Sequence, residues 1–395
     1  MSSSVSKSAR NFVANSLRDM PRSGIRDFFD IVSTMDDVIS LGVGEPVFDT
    51  PWHIRETSMY ALEKGATSYT SNRGLLKLRR AIATYVNRVF GIDYDAEEEI
   101  LITVGVSEAL DLILRAIVNP GDEIIYHEPC YVSYGPVIKM AHGMPVPIAT
   151  SAEQDFRLSA DQIRPKLSSR TKAIMLNYPN NPTGATVTPE DLRGIAELAI
   201  EHDLLIISDE IYGELSYDQD HLSIGSLPGM KERTVFLHGF SKAWAMTGFR
   251  IGYACAPAEL SEAMMKIHQY TMLCAPILSQ EAAIEALRIP DTDIGEMKSA
   301  YRRHRNYMYS SLQSMGLPCH EPRGAFYAFP NVQGFGMTSY EFAMKLLAEE
   351  RVAIVPGTAF GECGEGYVRC SYATGLDDIK VAMQRLDAFL QRHGK

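Results

Sequence analysis

Lys242 stands in a turn of small residues, Gly239-Phe-Ser-Lys-Ala-Trp-Ala-Met-Thr-Gly-Phe-Arg250, with an arginine eight positions on. A lysine amine can form a Schiff base with an aldehyde. Alone it would read as a solvated surface lysine, but three other turns, each following an apolar run, carry matching chemistry. After residues 100–104, Gly105-Val-Ser107 offers free backbone N–H groups and a hydroxyl at the positive end of a helix. That is a cradle for an anion such as phosphate, or an ordinary Ser-capped turn. After residues 172–176 comes Asn177-Tyr-Pro-Asn-Asn-Pro-Thr-Gly184, dense in turn formers, in which a cis Asn181-Pro182 bond would fix the Asn181 amide. After residues 204–207, Ser208-Asp-Glu-Ile-Tyr212 puts Asp209 at the mouth of a strand so apolar that its carboxylate needs a cationic partner, unless it caps the next helix. A cofactor with an aldehyde, a phosphate, an aromatic ring and a basic ring nitrogen would use Lys242, the Ser107 turn, a stacking side chain and Asp209 together.

These residues must be positioned by the elements between them. Helical spacing at residues 52–64 and 74–90 precedes a strand at 100–104, a helix at 107–118 and a strand at 123–127. A strand at 172–177, a helix after Pro189, and strands at 204–208, 234–238 and 251–254 continue the alternation. Strands alternating with helices predict an α/β fold: a largely parallel sheet covered by helices, with ligands at the carboxyl ends of the strands. The last third, with a long helix at 294–315, strands at 325–329 and 352–355 and a helix at 339–349, reads as a smaller α/β domain. A polar lead to about residue 20 and a helical cluster of Ile25, Phe28, Phe29, Ile31 and Val32 precede the short strand 38–41 and the breaker-rich Gly42-Val-Gly-Glu-Pro46.

Composition closes off other classes. At 395 residues, 46% hydrophobic and 22% charged, the chain can bury two or three domain cores. Thirty-eight basic against 49 acidic residues give −11, and no Lys/Arg run tracks phosphates, so nucleic acid is not an expected partner. The six cysteines form no CxxC pair and no metal-like spacing with histidine, which fits reduced thiols and a cytoplasmic setting. The N-terminal segment has no apolar leader core and no run approaches the ~18 residues of a membrane span. Gly42-Val-Gly44 continues into Glu-Pro-Val, so the dinucleotide fingerprint is absent, as are GxxxxGK[ST] and HExxH.

Taken in order, Ser23-Gly-Ile-Arg26, Leu41-Gly-Val-Gly-Glu-Pro46, Asn181-Pro-Thr-Gly184, Ser241-Lys242 and Gly366-Tyr-Val-Arg-Cys-Ser-Tyr372 make the chain resemble, over nearly its full length, a class I aminotransferase of pyridoxal-phosphate fold type I, in the aspartate and aromatic branch. The resemblance implies a large domain at 49–290 with a mostly parallel seven-stranded sheet. It implies an N-terminal arm and small-domain segment at 1–48 and a small C-terminal domain at 291–395. It implies that Lys242 binds pyridoxal 5'-phosphate and shuttles the substrate's proton. Asp209 would pair with the ring nitrogen, and Asn181 and Tyr212 would hydrogen-bond the phenolic oxygen. Tyr131, in Pro129-Cys-Tyr-Val-Ser-Tyr134, would stack on the ring, while Val106, Ser107, Ser241 and Arg250 would join the phosphate site. Arg369 would bind the substrate α-carboxylate beside Gly44. Tyr69, in Tyr69-Thr-Ser-Asn-Arg-Gly74, would reach the phosphate of a neighbouring subunit, implying a homodimer with shared sites.

The expected reaction is transamination of an acidic or aromatic L-amino acid with a 2-oxo acid such as 2-oxoglutarate, by ping-pong kinetics. A carbon–sulfur β-lyase of the same fold is the alternative. A pyridoxal-phosphate-sensing transcriptional regulator would need a DNA-binding segment that the residues before 23 are too short to supply. Two positions depart from the aspartate-specific pattern. Gly239 stands where serine often precedes the lysine by three residues, so one phosphate contact is missing. No motif marks an arginine for a distal carboxylate, Arg22, Arg26 and Arg73 being the available choices.

Overall fold

The computed structural model describes residues 12–18, 20, 32 and 35–394. The Ser23–Arg26 motif, Arg22, and all of the 25–32 cluster but Val32 lie outside the described residues. Twelve strands are described: β1 (Ile39–Ser40), β2 (Ile100–Thr103), β3 (Glu123–Glu128), β4 (Met144–Ala149), β5 (Thr171–Leu176), β6 (Leu205–Asp209), β7 (Thr234–Gly239), β8 (Gly252–Cys255), β9 (Tyr327–Ala328), β10 (Val352–Ala353), β11 (Val355–Pro356) and β12 (Val368–Ser371).

Seven of them form one sheet in the order β2-β8-β7-β6-β5-β3-β4. Its central strands are apolar through their middles because both faces are covered. Successive residues go to opposite sides: Ile174 and Ile206 join one core cluster, Met175 and Ile207 another. All pairs are parallel except those of β8, which runs antiparallel to both β2 and β7. This corrects the simple strand–helix alternation. Because β8 is reversed, its first residue rather than its last lies at the functional edge, and Thr103, Gly239 and Gly252 stand in register there. β4 escaped the sequence reading because Pro145 and Pro147 argue against a strand. It pairs only with β3, and a sheet edge tolerates proline.

A second α/β unit is built from both ends of the chain. β9, β12 and β11 form an antiparallel sheet, and β1 pairs in parallel with β10. The expected strand 352–355 is thus two short strands in different sheets. Helices Pro290–Ser314, Ser339–Glu350 and Leu376–His393 cover this unit through a core of Met308, Leu312, Phe342, Leu346, Leu386 and Phe389. The middle helix opens on a capping box of Thr338 and Glu341. The Leu41 N–H donates to the Ala353 carbonyl (2.8 Å), and the Leu41 carbonyl accepts from the Ser371 N–H (2.6 Å). These bonds carry residues 42–45 from β1 towards the edge of the large sheet. Among the described residues no helix is long and apolar enough to cross a membrane, and no group of three or more metal-ligating side chains is assembled.

Candidate active site

A cavity of about 450 Å³ opens where the carboxyl ends of the parallel strands meet residues 42–45 and β12. Gly44, Val106, Ser107, Tyr131, Asn181, Asp209, Tyr212, Ser241, Lys242, Arg250 and Arg369 line it. Residues that a parallel sheet delivers to one edge thus converge, although they span most of the chain.

Asp209 ends β6 and is buried. Its Oδ2 accepts a hydrogen bond from the Tyr134 hydroxyl (2.7 Å), and Oδ1 accepts from the Ile211 N–H (3.3 Å). Burial raises its pKa to about 6, and the bond from Tyr134 opposes that rise. Asn177 anchors the neighbouring loop, donating from Nδ2 to the Asp209 carbonyl (3.0 Å) and accepting at Oδ1 from the Asn181 N–H (3.2 Å). The Asn181–Pro182 peptide is cis.

Lys242 Nζ donates to the Gly44 carbonyl at 2.7 Å. Burial lowers its pKa to about 8. Glu45 opposes that fall, and the cations Arg369 and Arg250 add to it. An amine so held is neutral in part near pH 7–8 and available as a nucleophile or base. Glu45 in turn accepts from the Thr247 hydroxyl, tying the 42–45 loop to the turn that carries Lys242 and Arg250.

The helix Gly105–Ile117 begins two residues earlier than expected, after Val104 and without a side-chain cap, so Ser107 lies inside the first turn rather than at its cap. Gly105 has φ +75°, and a Cβ there would stand 2.8 Å from an Arg250 guanidinium nitrogen. Glycine is what lets Arg250 lie over the open N–H groups of this helix, making a site for an anion.

Arg369, on β12, is buried. Nη1 donates to Asn181 Oδ1 (2.8 Å), Nη2 donates to the Gly42 carbonyl (2.5 Å), and Nε has no partner. Its guanidinium lies between the rings of Tyr327 (4.5 Å to the centroid) and Phe360 (4.7 Å). Burial lowers its pKa, the two neighbouring phenols, Tyr327 and Tyr212, opposing. A buried, rigidly held guanidinium with unspent donors suits a carboxylate. The only arginines lining the cavity among the described residues are Arg250 and Arg369. Arg73 is committed elsewhere, to Glu262 and Ser261.

Tyr69 is not brought to the cavity: it is 82% exposed. Tyr134, Asn177 and Tyr327, which sequence reasoning passed over, are in the lining. Tyr134 did fall inside the quoted Pro129–Tyr134 segment; its bond to Asp209 was the missing signal. The donor set fits a group bearing a phosphate, a carbonyl carbon and a ring nitrogen. Arg250 and a helix N-terminus, a half-buried amine of lowered pKa, and a buried carboxylate with one hydroxyl partner line the same cavity.

The family model described as aminotransferase class I and II matches residues 36–386. The putative aminotransferase YugH of Bacillus subtilis is 49% identical over 97% of this chain and 99% of its own length. An aspartate aminotransferase of Pyrococcus abyssi is 45% identical over 93% and 96%. The crystal structure of an aromatic aminotransferase from Pyrococcus horikoshii superposes with a TM-score of 0.89 at 43% identity, over 93% of this chain and 99% of that one.

Proposed function

The chain belongs to the class I and II aminotransferases, and from that premise we propose that it is a pyridoxal-phosphate-dependent enzyme moving the amino group of an acidic or aromatic L-amino acid to 2-oxoglutarate by a ping-pong mechanism. One observation carries the reading: a single cavity brings together a half-buried amine, a buried carboxylate and a guanidinium with an unspent donor. Bound pyridoxal phosphate would supply an electrophilic carbon and a ring that takes up the electron pair left at the substrate α-carbon. The protein does the rest. Arg369 receives the α-carboxylate and fixes the α-carbon's orientation, with Gly44 leaving room for it. Lys242, once freed, would take the α-proton and return it two atoms along, across the substrate nitrogen. Asp209, held by Tyr134, would accept a hydrogen bond from the ring nitrogen. Asn181 and Tyr212 would offer hydrogen bonds at the phenolic oxygen, Tyr131 would stack on the ring, and Arg250 with Val106, Ser107 and Ser241 would hold the phosphate.

Aspartate and aromatic specificity are the activities named for the relatives, which supports both donor classes. A homodimer with shared sites is supported by Tyr69, exposed and outside its own chain's cavity, and by neighbouring exposed Tyr270, Met272 and Leu273, tied to it through the bond from Asn72 to the Leu273 carbonyl (2.8 Å). Six free cysteines support a cytoplasmic location. The division at 49–290 is supported by the large sheet lying wholly within it.

The test is the visible spectrum of protein reconstituted with pyridoxal phosphate, before and after glutamate, aspartate and tyrosine are added separately, with Lys242→Ala alongside. Bleaching by a given donor, restored by 2-oxoglutarate and absent in the variant, is expected. A band that persists while an added cysteine S-conjugate yields pyruvate and ammonia without 2-oxoglutarate would replace this reading with a β-lyase.

A further inference from the structure

Tyr327, on β9, is 1% exposed and belongs to no motif discussed above. Three contacts meet on it. Its hydroxyl lies 2.9 Å from the Tyr212 hydroxyl. Its ring carries the Arg369 guanidinium at 4.5 Å. Its hydroxyl also stands where a Cβ at residue 44 would fall, 2.5 Å away, so it abuts the backbone whose carbonyl receives Lys242.

We propose that Tyr327 is a positioning residue: its hydroxyl orients and strengthens Tyr212 as a hydrogen-bond donor, and its ring couples the Arg369 cation to that bond. The inference rests on the functional reading above, in which Tyr212 donates to the cofactor's phenolic oxygen. Each phenol has one proton. If Tyr212 spends its proton on the cofactor, its oxygen must accept from Tyr327, so the direction of the 2.9 Å bond is set. A hydroxyl whose oxygen accepts a bond is a stronger donor, because successive hydrogen bonds polarise one another. Tyr327 thereby favours the deprotonated form of the nitrogen linking Lys242 to the cofactor. The cation against its ring makes the Tyr327 proton more acidic, and a substrate carboxylate that neutralises Arg369 removes that help. Tyr327 thereby carries part of the coupling between a carboxylate at Arg369 and the proton on Lys242's nitrogen, and that part is reciprocal.

Tyr327→Phe keeps the ring under Arg369 and deletes the hydroxyl. The measurement is the pH midpoint of the reconstituted enzyme's visible band, without ligand and with saturating 3-phenylpropanoate or maleate, carboxylates that have no amine to transfer. The variant's midpoint is expected to lie about 0.4–1 pH unit above wild type. Its ligand-induced rise should be less than half of wild type's, while the ligand's Kd, measured at a pH below both midpoints, changes less than threefold. In a Tyr212→Phe background, adding Tyr327→Phe should leave the midpoint where it is, which loss of packing would not do. A midpoint and ligand shift equal to wild type, or full additivity with Tyr212→Phe, would overturn the proposal. A wild-type protein that shows no visible band after reconstitution overturns the functional reading itself and this inference with it, whereas a band that does not titrate overturns this inference alone.

Discussion

Gly239→Ser restores the serine that aspartate-specific relatives of this type often carry, and it should harm this protein rather than help it. A Cβ at 239 would stand 2.9 Å from Gly252 Cα, 3.1 Å from the Ile251 carbonyl oxygen and 3.2 Å from Val106 Cγ2. Carbon atoms in contact prefer about 3.5–4.0 Å. Two of the three obstacles are backbone and cannot rotate away. Gly252 has no slack either, since a Cβ there would meet Gly105 C and Val106 N at 2.8 Å. β7, β8 and the first turn of the helix Gly105–Ile117 are therefore stacked backbone on backbone, and an added side chain must push β8 into the turn that forms the anion site. Overpacking of this kind costs about 1–3 kcal/mol, which lowers Tm by roughly 2–10 °C in a domain of this size. Thermal unfolding of the cofactor-free protein reads the first quantity. A fluorescence titration with pyridoxal phosphate reads the second, expected to weaken despite the new hydroxyl. Gly239→Ala isolates the Cβ from the hydroxyl and should cost the same stability. An unchanged Tm with tighter binding in Gly239→Ser would refute the argument.

Arg369→Ala should lower kcat/KM for every α-amino acid donor by about 2–5 kcal/mol in transition-state terms, and Arg369→Lys should recover only part, since a point charge cannot serve Asn181, Gly42 and a carboxylate together. Amine donors without a carboxylate should be unaffected, and equal losses for them would remove the role. The folded-state pKa of Lys242, about 8, lies below the 10.5 of an unperturbed lysine, so protonated Lys242 weakens the cofactor-free fold below pH 8. Lys242→Met should stabilise that form at pH 7 by up to roughly 3 kcal/mol, and the gain should fade as pH rises from 8 to 10.5; a gain constant with pH in denaturant titrations would contradict it. Mixing Lys242→Ala with Tyr69→Ala under subunit exchange should raise activity above the mean of the two parents if sites are shared, and leave it at that mean if each chain carries a whole site.

Much of the site was legible because a parallel sheet presents the ends of its strands at one edge. Asp209, Asn181, Lys242 and the Gly105 turn each follow an apolar run, and each lines the cavity. The missing parts depend on pairings that no local pattern encodes. Tyr134 meets Asp209 across 75 positions and Tyr327 meets Tyr212 across 115. In sequence both read as core aromatics, which by burial they also are. The reversal of β8 was equally hidden, since four apolar residues look alike in either direction, and only the register with β2 and β7 puts Gly252 beside Gly239. The strand 325–329 shrank to two residues: Ala325 has φ +55°, outside the strand region, and pairing with β12 is confined to Tyr327 and Ala328.

The pairing of β1 with β10 has a bearing on how the molecule is made. A ribosome delivers residues in order, and the large sheet has all its strands once Cys255 has emerged. The phosphate end of the cavity can therefore assemble on a nascent chain, and Lys242 can meet a cofactor there while synthesis continues. The carboxylate clamp cannot, because Gly42 and Arg369 lie 327 positions apart and β1 waits for β10 as its partner. Substrate recognition at Arg369 therefore requires both ends of the polypeptide, whereas the strands that present Asp209 and Lys242 do not.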